Sequence, residues 1–196
     1  MRELRNSMVV GGAVIIALAL AACGPIYGQL MRVAEGVKHF EVKSGKSGDL
    51  KGGGALLVYA PFCKTEQAFF ICPGELEEQM AVALTKAGLF TAESYLEHDP
   101  ATAAAARTAM KSQTPEALQQ AFKLAKAPER LLLGTLLRRE MTVAPTRGVI
   151  MTEAYRLEFY NLRTGAVTVI EVEVRDLAED IMTTLSDELV AQLAKG

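Results

Sequence analysis

The chain has 196 residues with 21 basic and 23 acidic side chains, so its net charge is −2 at pH 7. This balance excludes the strong basic excess typical of nucleic-acid-binding proteins and of polybasic membrane-binding segments. The length suits one compact domain with an extension, and a hydrophobic content of 50% is sufficient for a core.

The N-terminus has the pattern of a bacterial secretion signal. Arg2 and Arg5 precede an uncharged stretch at residues 8–22, which is shorter than the roughly 20 apolar residues of a transmembrane helix. The stretch ends in LAACG at residues 20–24, which resembles the bacterial lipobox. The resemblance implies that residues 1–22 are removed and that Cys23 becomes an acylated first residue, carrying fatty acids such as palmitate. A free cysteine packed in an apolar segment is the alternative.

The residue after the lipid-bearing cysteine bears on the location of the mature chain. In enteric lipoproteins an Asp at this position marks retention in the inner membrane, whereas this chain has Gly24. The resemblance therefore implies an outer-membrane anchor with the mature chain facing the periplasm. Several acyl chains form a stable anchor where one chain would be marginal.

Two further cysteines remain once Cys23 is assigned to lipid. Cys63 and Cys72 form an even pair in an exported chain, and the oxidising periplasm favours a disulfide between them. Two separate buried thiols are the alternative. We expect no metal site, because neither His39 nor His98 lies at ligand spacing from either cysteine.

Residues 23–54 are interpreted as the lipidated N-terminus and a flexible tether. The segment contains polar Gly, Ser and Lys residues at 43–48 and three glycines at 52–54, a composition typical of flexible linkers. Within it, residues 37–42 are a candidate edge strand. The sequence Gly45-Lys46-Ser47 superficially matches a phosphate-binding loop, but Phe40 occupies the position where that motif requires a glycine. Nucleotide binding is therefore not predicted.

The remaining residues, 55–196, are predicted to form a single α/β periplasmic domain. Apolar runs and alternating patterns predict strands at 55–62, 89–96, 131–137, 152–161 and 166–175, the last two forming a hairpin. Apolar stripes and start signals such as Asp99-Pro100 and Thr114-Pro115 predict helices at 75–87, 100–112, 115–126 and 177–194. This order predicts a mixed β-sheet of about five strands with helices packed on it.

Several short motifs in this domain resemble one group of periplasmic proteins. They are KAGLFT at residues 86–91, the Leu133-Gly134-Thr135 strand and the hairpin turn NLRTGAV at residues 161–167. They are similar to motifs of the curli-secretion lipoprotein CsgG, the penicillin-binding-protein activator LpoB and the N-terminal domain of TolB. The resemblance covers residues 54–194 and implies a CsgG-like sandwich used mainly for binding and assembly. The long transmembrane hairpins of a curli-type pore are not evident, and the segment between Cys63 and Cys72 is not part of the common pattern.

Catalytic constellations are not recognisable in the sequence. There is no G-x-S-x-G elbow. His39 lies in the predicted tether and His98 just before a helix cap, so an envelope hydrolase using either as its base is the least supported hypothesis. Glu171 and Glu173 share a strand face, which alternating charge on a solvated hairpin explains more simply than paired catalytic carboxylates. We expect no enzyme activity, no small-molecule cofactor and no nucleic-acid partner.

Arg138, Arg139 and Arg156 are candidates for a basic surface that contacts a partner, with a solvated face as the alternative. The predicted function is that of an outer-membrane-anchored periplasmic lipoprotein, which binds protein partners as an accessory or assembly factor of an envelope complex. The alternative is a ring-forming structural subunit of a secretion, flagellar or pilus-like machine.

Overall fold

The computed structural model describes residues 35–68, 74–144 and 147–195, with the side chains of residues 100 and 101 excepted. Strands and helices are interspersed along the first part of these ranges, and three consecutive strands precede the last helix. The strands are β1 (Gly36–Ser44), β2 (Ala55–Lys64), β3 (Thr91–Leu96), β4 (Arg130–Ala144), β5 (Gly148–Asn161) and β6 (Val167–Leu177). The helices are α1 (Glu75–Lys86), α2 (Pro100–Met110), α3 (Pro115–Phe122) and α4 (Ile181–Lys195), and a short 3-10 helix spans Ser47–Leu50.

The strands form one open mixed sheet in the order β1-β6-β5-β4-β2-β3. Strand β2 runs parallel to both of its neighbours, β3 and β4, whereas β4–β5, β5–β6 and β1–β6 are antiparallel pairs. The parallel half needs crossover connections, which α1 supplies between β2 and β3, and α2 with α3 between β3 and β4. The predicted α/β class and mixed sheet are confirmed, with β1 as a sixth strand.

Strand β1 confirms the candidate edge strand at residues 37–42, and it lies inside the segment that the sequence analysis assigned to the tether. Phe40 and Val42 pack against the core, while His39 and Glu41 between them are exposed. Leu50 in the 3-10 helix is also buried. The folded structure therefore includes residues 36–50, which precede the predicted domain start at residue 55. The predicted signal and residues 23–34 of the predicted tether lie outside the described residues.

Each face of the sheet has its own hydrophobic core. On the first face, α1 and α4 pack across most of the sheet, and their buried residues repeat at helical spacing as the sequence predicts. On the second face, α2 and α3 pack over β2 and β4. The apolar helix residues buried on the first face are Leu76, Met80, Ala81, Leu84, Ile181, Leu185, Leu189 and Leu193; those on the second are Ala103, Met110 and Leu118.

Several element ends differ from the sequence-based prediction, and the ends of α3 and β4 have clear physical reasons. Helix α3 begins as predicted, because the Thr114 side chain accepts a hydrogen bond from the Ala117 N–H at 3.2 Å. It ends at Phe122 rather than at residue 126, because Lys123 adopts a left-handed conformation with φ 54°. Strand β4 continues to Ala144 instead of ending at residue 137, and pairs with β5 along its whole length.

The helices of the described ranges are shorter than a typical transmembrane helix. The longest of them, α4, has 15 residues, whereas roughly 20 apolar residues are needed to cross the hydrocarbon core. Within residues 35–68, 74–144 and 147–195, no helix is both long and apolar enough to cross a membrane.

Candidate partner-binding face

Part of the second face of the sheet has no helix over it in the described part of the chain. The buried cluster on this face includes side chains from β2, β4, α2 and α3. The residue after α2, Lys111, reaches β5, with its Nζ 3.1 Å from a Glu158 carboxylate oxygen. Farther along the sheet, strands β5, β6 and β1 carry a polar surface that we call the open face. It consists of His39, Glu41, Lys43, Arg138, Arg156, Glu171 and Glu173.

The residues of the open face come together through strand register. Strand alternation buries Ile170, Val172 and Val174 of β6 on the first face, and therefore directs Glu171 and Glu173 to the second. Glu171 stands opposite Arg156 of β5 and Glu41 of β1. The predicted alternation of this hairpin is thus confirmed.

Arg156 is held by one glutamate on the neighbouring strand. Its Nη2 and Nε atoms both donate to Oε1 of Glu171, at 2.7 and 3.0 Å. Lys43 of β1 lies 2.6 Å from a Glu41 oxygen and 3.8 Å from the other Glu171 oxygen. The hydrogen bond with Glu41 raises the pKa of Lys43, and the same bond lowers the pKa of Glu41. These two charges therefore stay ionised over a wide pH range.

Arg138 forms a further ion pair of the open face. Its Nη2 donates to Glu173 of β6 at 2.8 Å, and its Nη1 lies 3.3 Å from Glu140 on its own strand. Arg138 and Arg156, two of the three arginines proposed from sequence, therefore share one face. Each is paired with glutamate, so the described part of this face has alternating charges rather than a basic patch.

Arg139, the third arginine, does not belong to the open face. Adjacent residues of a strand point to opposite faces, and Arg139 is only 8% exposed. Its Nη2 lies 2.6 Å from Oε1 of Glu153, which is 1% exposed. The Tyr155 hydroxyl donates to the other oxygen of Glu153, and burial together with this carboxylate raises the pKa of Tyr155 well above its ordinary value. Arg139 is thus part of a buried polar cluster and is not placed to contact a partner.

The open face contains a shallow depression at the β1–β6–β5 junction. It has a volume of about 600 Å³ and is lined by Lys43, Ser44, Arg156, Glu158, Val169 and Glu171. Because the lining contains both signs of charge and one apolar side chain, it is suited chemically to the mixed polar surface of another protein.

A second depression was not anticipated from the sequence. It lies between α1 and α4, has a volume of about 750 Å³, and includes Val82, Lys86, Asp187 and Val190 in its lining. In the sequence, Val82 indicates this depression, because it is an apolar residue outside the apolar stripe of α1. In the structure its side chain is 60% exposed.

The residues considered for catalysis are not brought together. His39 lies on β1 with its Nε2 3.1 Å from a Glu41 oxygen, and His98 follows β3, so the two lie at opposite edges of the sheet. Tyr59 is fully buried, and burial raises its pKa to about 12. Within the described ranges, no group of three or more His, Cys, Asp or Glu side chains is arranged to hold a metal ion.

The predicted cysteine sites fall largely outside the described ranges. Cys63 lies in β2 and is half-buried. Its proposed disulfide partner, Cys72, and the proposed lipidation site, Cys23, both lie outside the described residues. The disulfide and the lipidation therefore stay predictions.

The chain is similar in fold to several solved structures. No protein-family model and no curated protein matches the chain. A PelC dodecamer from Paraburkholderia phytofirmans is 16% identical, with 79% of this chain and 94% of that chain covered and a TM-score of 0.46. The hypothetical protein CT253 from Chlamydia trachomatis is 10% identical (72% and 99% covered, TM-score 0.43). Lipoprotein GNA1162 from Neisseria meningitidis is 15% identical (73% and 99% covered, TM-score 0.40). At such identities the similarity is one of fold, and the relationship to CsgG, LpoB and TolB stays a prediction.

Proposed function

We propose that this protein is an outer-membrane-anchored periplasmic lipoprotein that binds a protein partner as an accessory or assembly factor of an envelope complex. The observation that carries the proposal is the open face. It is a sheet surface without a helix over it in the described ranges, and its ion pairs hold its charged side chains in fixed relative positions. A fixed pattern of alternating charges gives a partner both register and specificity. The proposal assigns no catalytic reaction to the protein.

The anchor in this proposal is tested at the lipobox. Cys23→Ser should leave an unacylated chain that does not fractionate with membranes, because the acyl chains supply the membrane affinity. Mass spectrometry of the mature N-terminus should detect acyl groups on the unchanged protein. Gly24→Asp tests the outer-membrane assignment and should move the protein to the inner-membrane fraction. An unacylated mature chain in the unchanged protein would contradict the anchor.

The binding role of the open face is tested by reversing one ion pair. Arg156→Glu and Glu171→Arg each place like charges opposite one another, at sites about half and about one-fifth exposed. The double swap, Arg156→Glu with Glu171→Arg, restores the internal pair but inverts the pattern that a partner meets. We expect the swap to recover folding, measured by urea unfolding, without recovering partner capture, measured by crosslinking in cells followed by purification.

The same pair of measurements separates binding from a purely structural role. If the swapped protein captures the same envelope protein as the unchanged chain, the ion pair serves the fold alone and the proposed binding face is wrong. A matched control is the exchange of two exposed charges of α1 on the other face of the sheet, Glu78→Lys with Lys86→Glu, which likewise leaves the net charge unchanged. It should leave capture unchanged.

A ring-forming structural subunit is the second candidate. The observation in its favour is that the sheet is open, with β1 and β3 as its two edge strands. An unpaired strand edge can accept a strand from another chain. Discrete high-mass rings in electron micrographs of the detergent-solubilised protein would support it, and a monomer at high concentration would oppose it.

A further inference from the structure

The end of the β4–β5 hairpin exposes large apolar side chains. Met141 is 57% and Val143 71% exposed. In the described ranges, Val82 is the one other large hydrophobic residue so exposed. We call residues 141–144 and 147–151 the hairpin tip. Exposed apolar side chains that lie close together commonly mark a contact site.

The register of the hairpin places more apolar groups beside these two. Met141 pairs with Met151, and Val143 pairs with Val149, and cross-strand partners share one face of a sheet. Met151 and Val149 are half-buried. Between residues 141 and 151 the sequence has one charged residue, Arg147, and no carboxylate. The tip therefore has a largely uncharged, apolar side.

The hairpin tip lies at the end of the sheet where the chain enters from its N-terminal segment. Gly36, the first residue of β1, pairs with Arg175, which pairs with Thr152, which pairs with Glu140. Because neighbouring strands are about 4.8 Å apart, this row spans only about 14 Å across the sheet. The tip continues beyond the row by four residues of β4, which is about 13 Å.

We propose that the hairpin tip contacts the membrane, with Met141 and Val143 entering its interfacial region. This inference rests on the proposed lipid anchor at Cys23. Residues 24–35 would separate the anchor from Gly36, and if they form the flexible linker expected from the sequence, they span roughly 20 Å. The linker therefore holds this end of the domain, and with it the tip, close to the lipid surface. Apolar side chains on an otherwise polar domain are stabilised when they enter the boundary between headgroups and acyl chains.

Charges beside the tip define which side of it meets lipid. The Ala178 N–H donates to the Val149 carbonyl at 2.9 Å, so exposed Glu179 and Asp180 in the β6–α4 turn border the tip on its β6 side. Together with Arg147 they leave no excess of positive charge. The contact is therefore apolar and made through β4, and it does not require anionic lipid.

The absence of tryptophan from the chain makes a fluorescence test direct. Val143→Trp places a single probe at the tip, and Val82→Trp places a matched probe at an exposed valine on α1. The full-length acylated proteins are reconstituted into vesicles of phosphatidylcholine and into vesicles of phosphatidylethanolamine with phosphatidylglycerol, each with and without lipids brominated on their acyl chains. The Val143→Trp protein should lose about half of its emission to the brominated lipids in both compositions, because an interfacial side chain lies within reach of the acyl chains. The Val82→Trp protein should lose none.

Equal emission from the Val143→Trp protein with and without brominated lipid overturns the proposal, as does equal quenching of both variants. A blue shift that depends on protein concentration in the absence of lipid also overturns it, because the tip would then contact a second copy. Met141→Trp gives a second probe if the Val143→Trp protein does not fold. Mass spectrometry of the same samples separates the two proposals. An unacylated chain would rule out both the lipid anchor and the membrane contact of the hairpin tip. An acylated chain whose tip probe is not quenched would rule out the membrane contact alone.

Discussion

Glu77 is a carboxyl group buried at the start of α1, where it is only 3% exposed. It accepts a hydrogen bond from the Phe62 backbone N–H at 2.5 Å, and so links the first turn of α1 to β2. Burial raises the pKa of Glu77, and hydrogen bonds from the backbone of Phe62, Glu77 and Gly74 offset only part of this effect. The side chain thus stabilises the helix start while ionisation of the same group is unfavourable.

Substitution of Glu77 by Gln should change the pH dependence of stability. Because the pKa of Glu77 is higher in the folded than in the unfolded state, its favourable contribution is full below the unfolded value and is lost as the pH rises through the folded value. Glutamine does not titrate. We therefore expect the free energy of unfolding of the unchanged protein, relative to Glu77→Gln, to fall as the pH is raised from about 4 to 7. Urea unfolding of both proteins over this pH range measures the difference in their free energies of unfolding. A difference that does not change with pH would contradict the raised pKa of Glu77.

The buried Arg139–Glu153 pair predicts a strongly non-additive response. Arg139→Met leaves the Glu153 carboxylate buried without its cation, which should cost about 3–5 kcal/mol of unfolding free energy. Combining it with Glu153→Gln removes the charge while keeping an acceptor for Tyr155, and should recover most of the loss. Urea unfolding of the three proteins tests this. A double variant as unstable as Arg139→Met alone would show that the cost does not come from the unpaired charge.

At the scale of elements, the close approach of β2 and β4 explains the glycine in the Leu133-Gly134-Thr135 motif. A Cβ atom at Gly134 would lie 2.2 Å from the Phe62 ring, and Phe62 belongs to the core on the first face. The ring therefore occupies the space that a side chain at this position would need. The requirement for glycine here is one of space, since its φ is not positive.

Gly134→Ala should accordingly destabilise the fold by about 1–3 kcal/mol through overpacking. Shortening the neighbour with Phe62→Leu should reduce that penalty, so the double variant should be more stable than the sum of the single effects predicts. Thermal unfolding of the four proteins measures the coupling. Additive effects would mean that the ring is not the obstacle.

Elements marked by local signals were predictable from the sequence, and elements that depend on partners were not. Thr114-Pro115 predicts the start of α3 because the cap is made within the helix itself. The distal half of β4 was not predicted because the charged residues 138–140 interrupt the apolar run, and this half is a strand because β5 pairs with it. The edge strand β1 was a candidate at residues 37–42 in the sequence, but its position next to the Lys, Ser and Gly residues at 43–48 assigned it to the tether, because its place in the sheet depends on pairing with the distant β6.

In the candidate site, too, features set by one strand were predictable and features that depend on a neighbouring strand were not. Alternation along β6 correctly places Glu171 and Glu173 on one face. The burial of Arg139 depends on Glu153 of the next strand, and a single strand's pattern does not contain that information. The hairpin tip was missed because its side chains are ordinary in composition and are distinguished only by exposure.

At the scale of the whole molecule, the compartment bears on the predicted disulfide. If Cys63 and Cys72 are bridged in the periplasm, the bond closes a short loop and stabilises the fold by about 2–3 kcal/mol. Cys63→Ser, Cys72→Ser and the double variant should then lose the same amount of stability, and reduction should lower the unchanged protein to their level. Thiol labelling of periplasmic protein before reduction gives an independent check. Labelling of both cysteines would show that they are separate thiols.

The pairing of β1 with β6 also has a consequence for the order in which the molecule folds. Strands β4, β5 and β6 are consecutive in the chain and are joined by short turns, so their pairing closes small loops and is fast. The partner of β1 lies almost at the other end of the chain. If the chain is exported N-terminus first, as the proposed signal implies, β1 emerges first and β6 nearly last. Until β6 has emerged, β1 has no strand to pair with. A chaperone that binds extended segments would therefore encounter β1 before the rest of the domain has crossed the membrane.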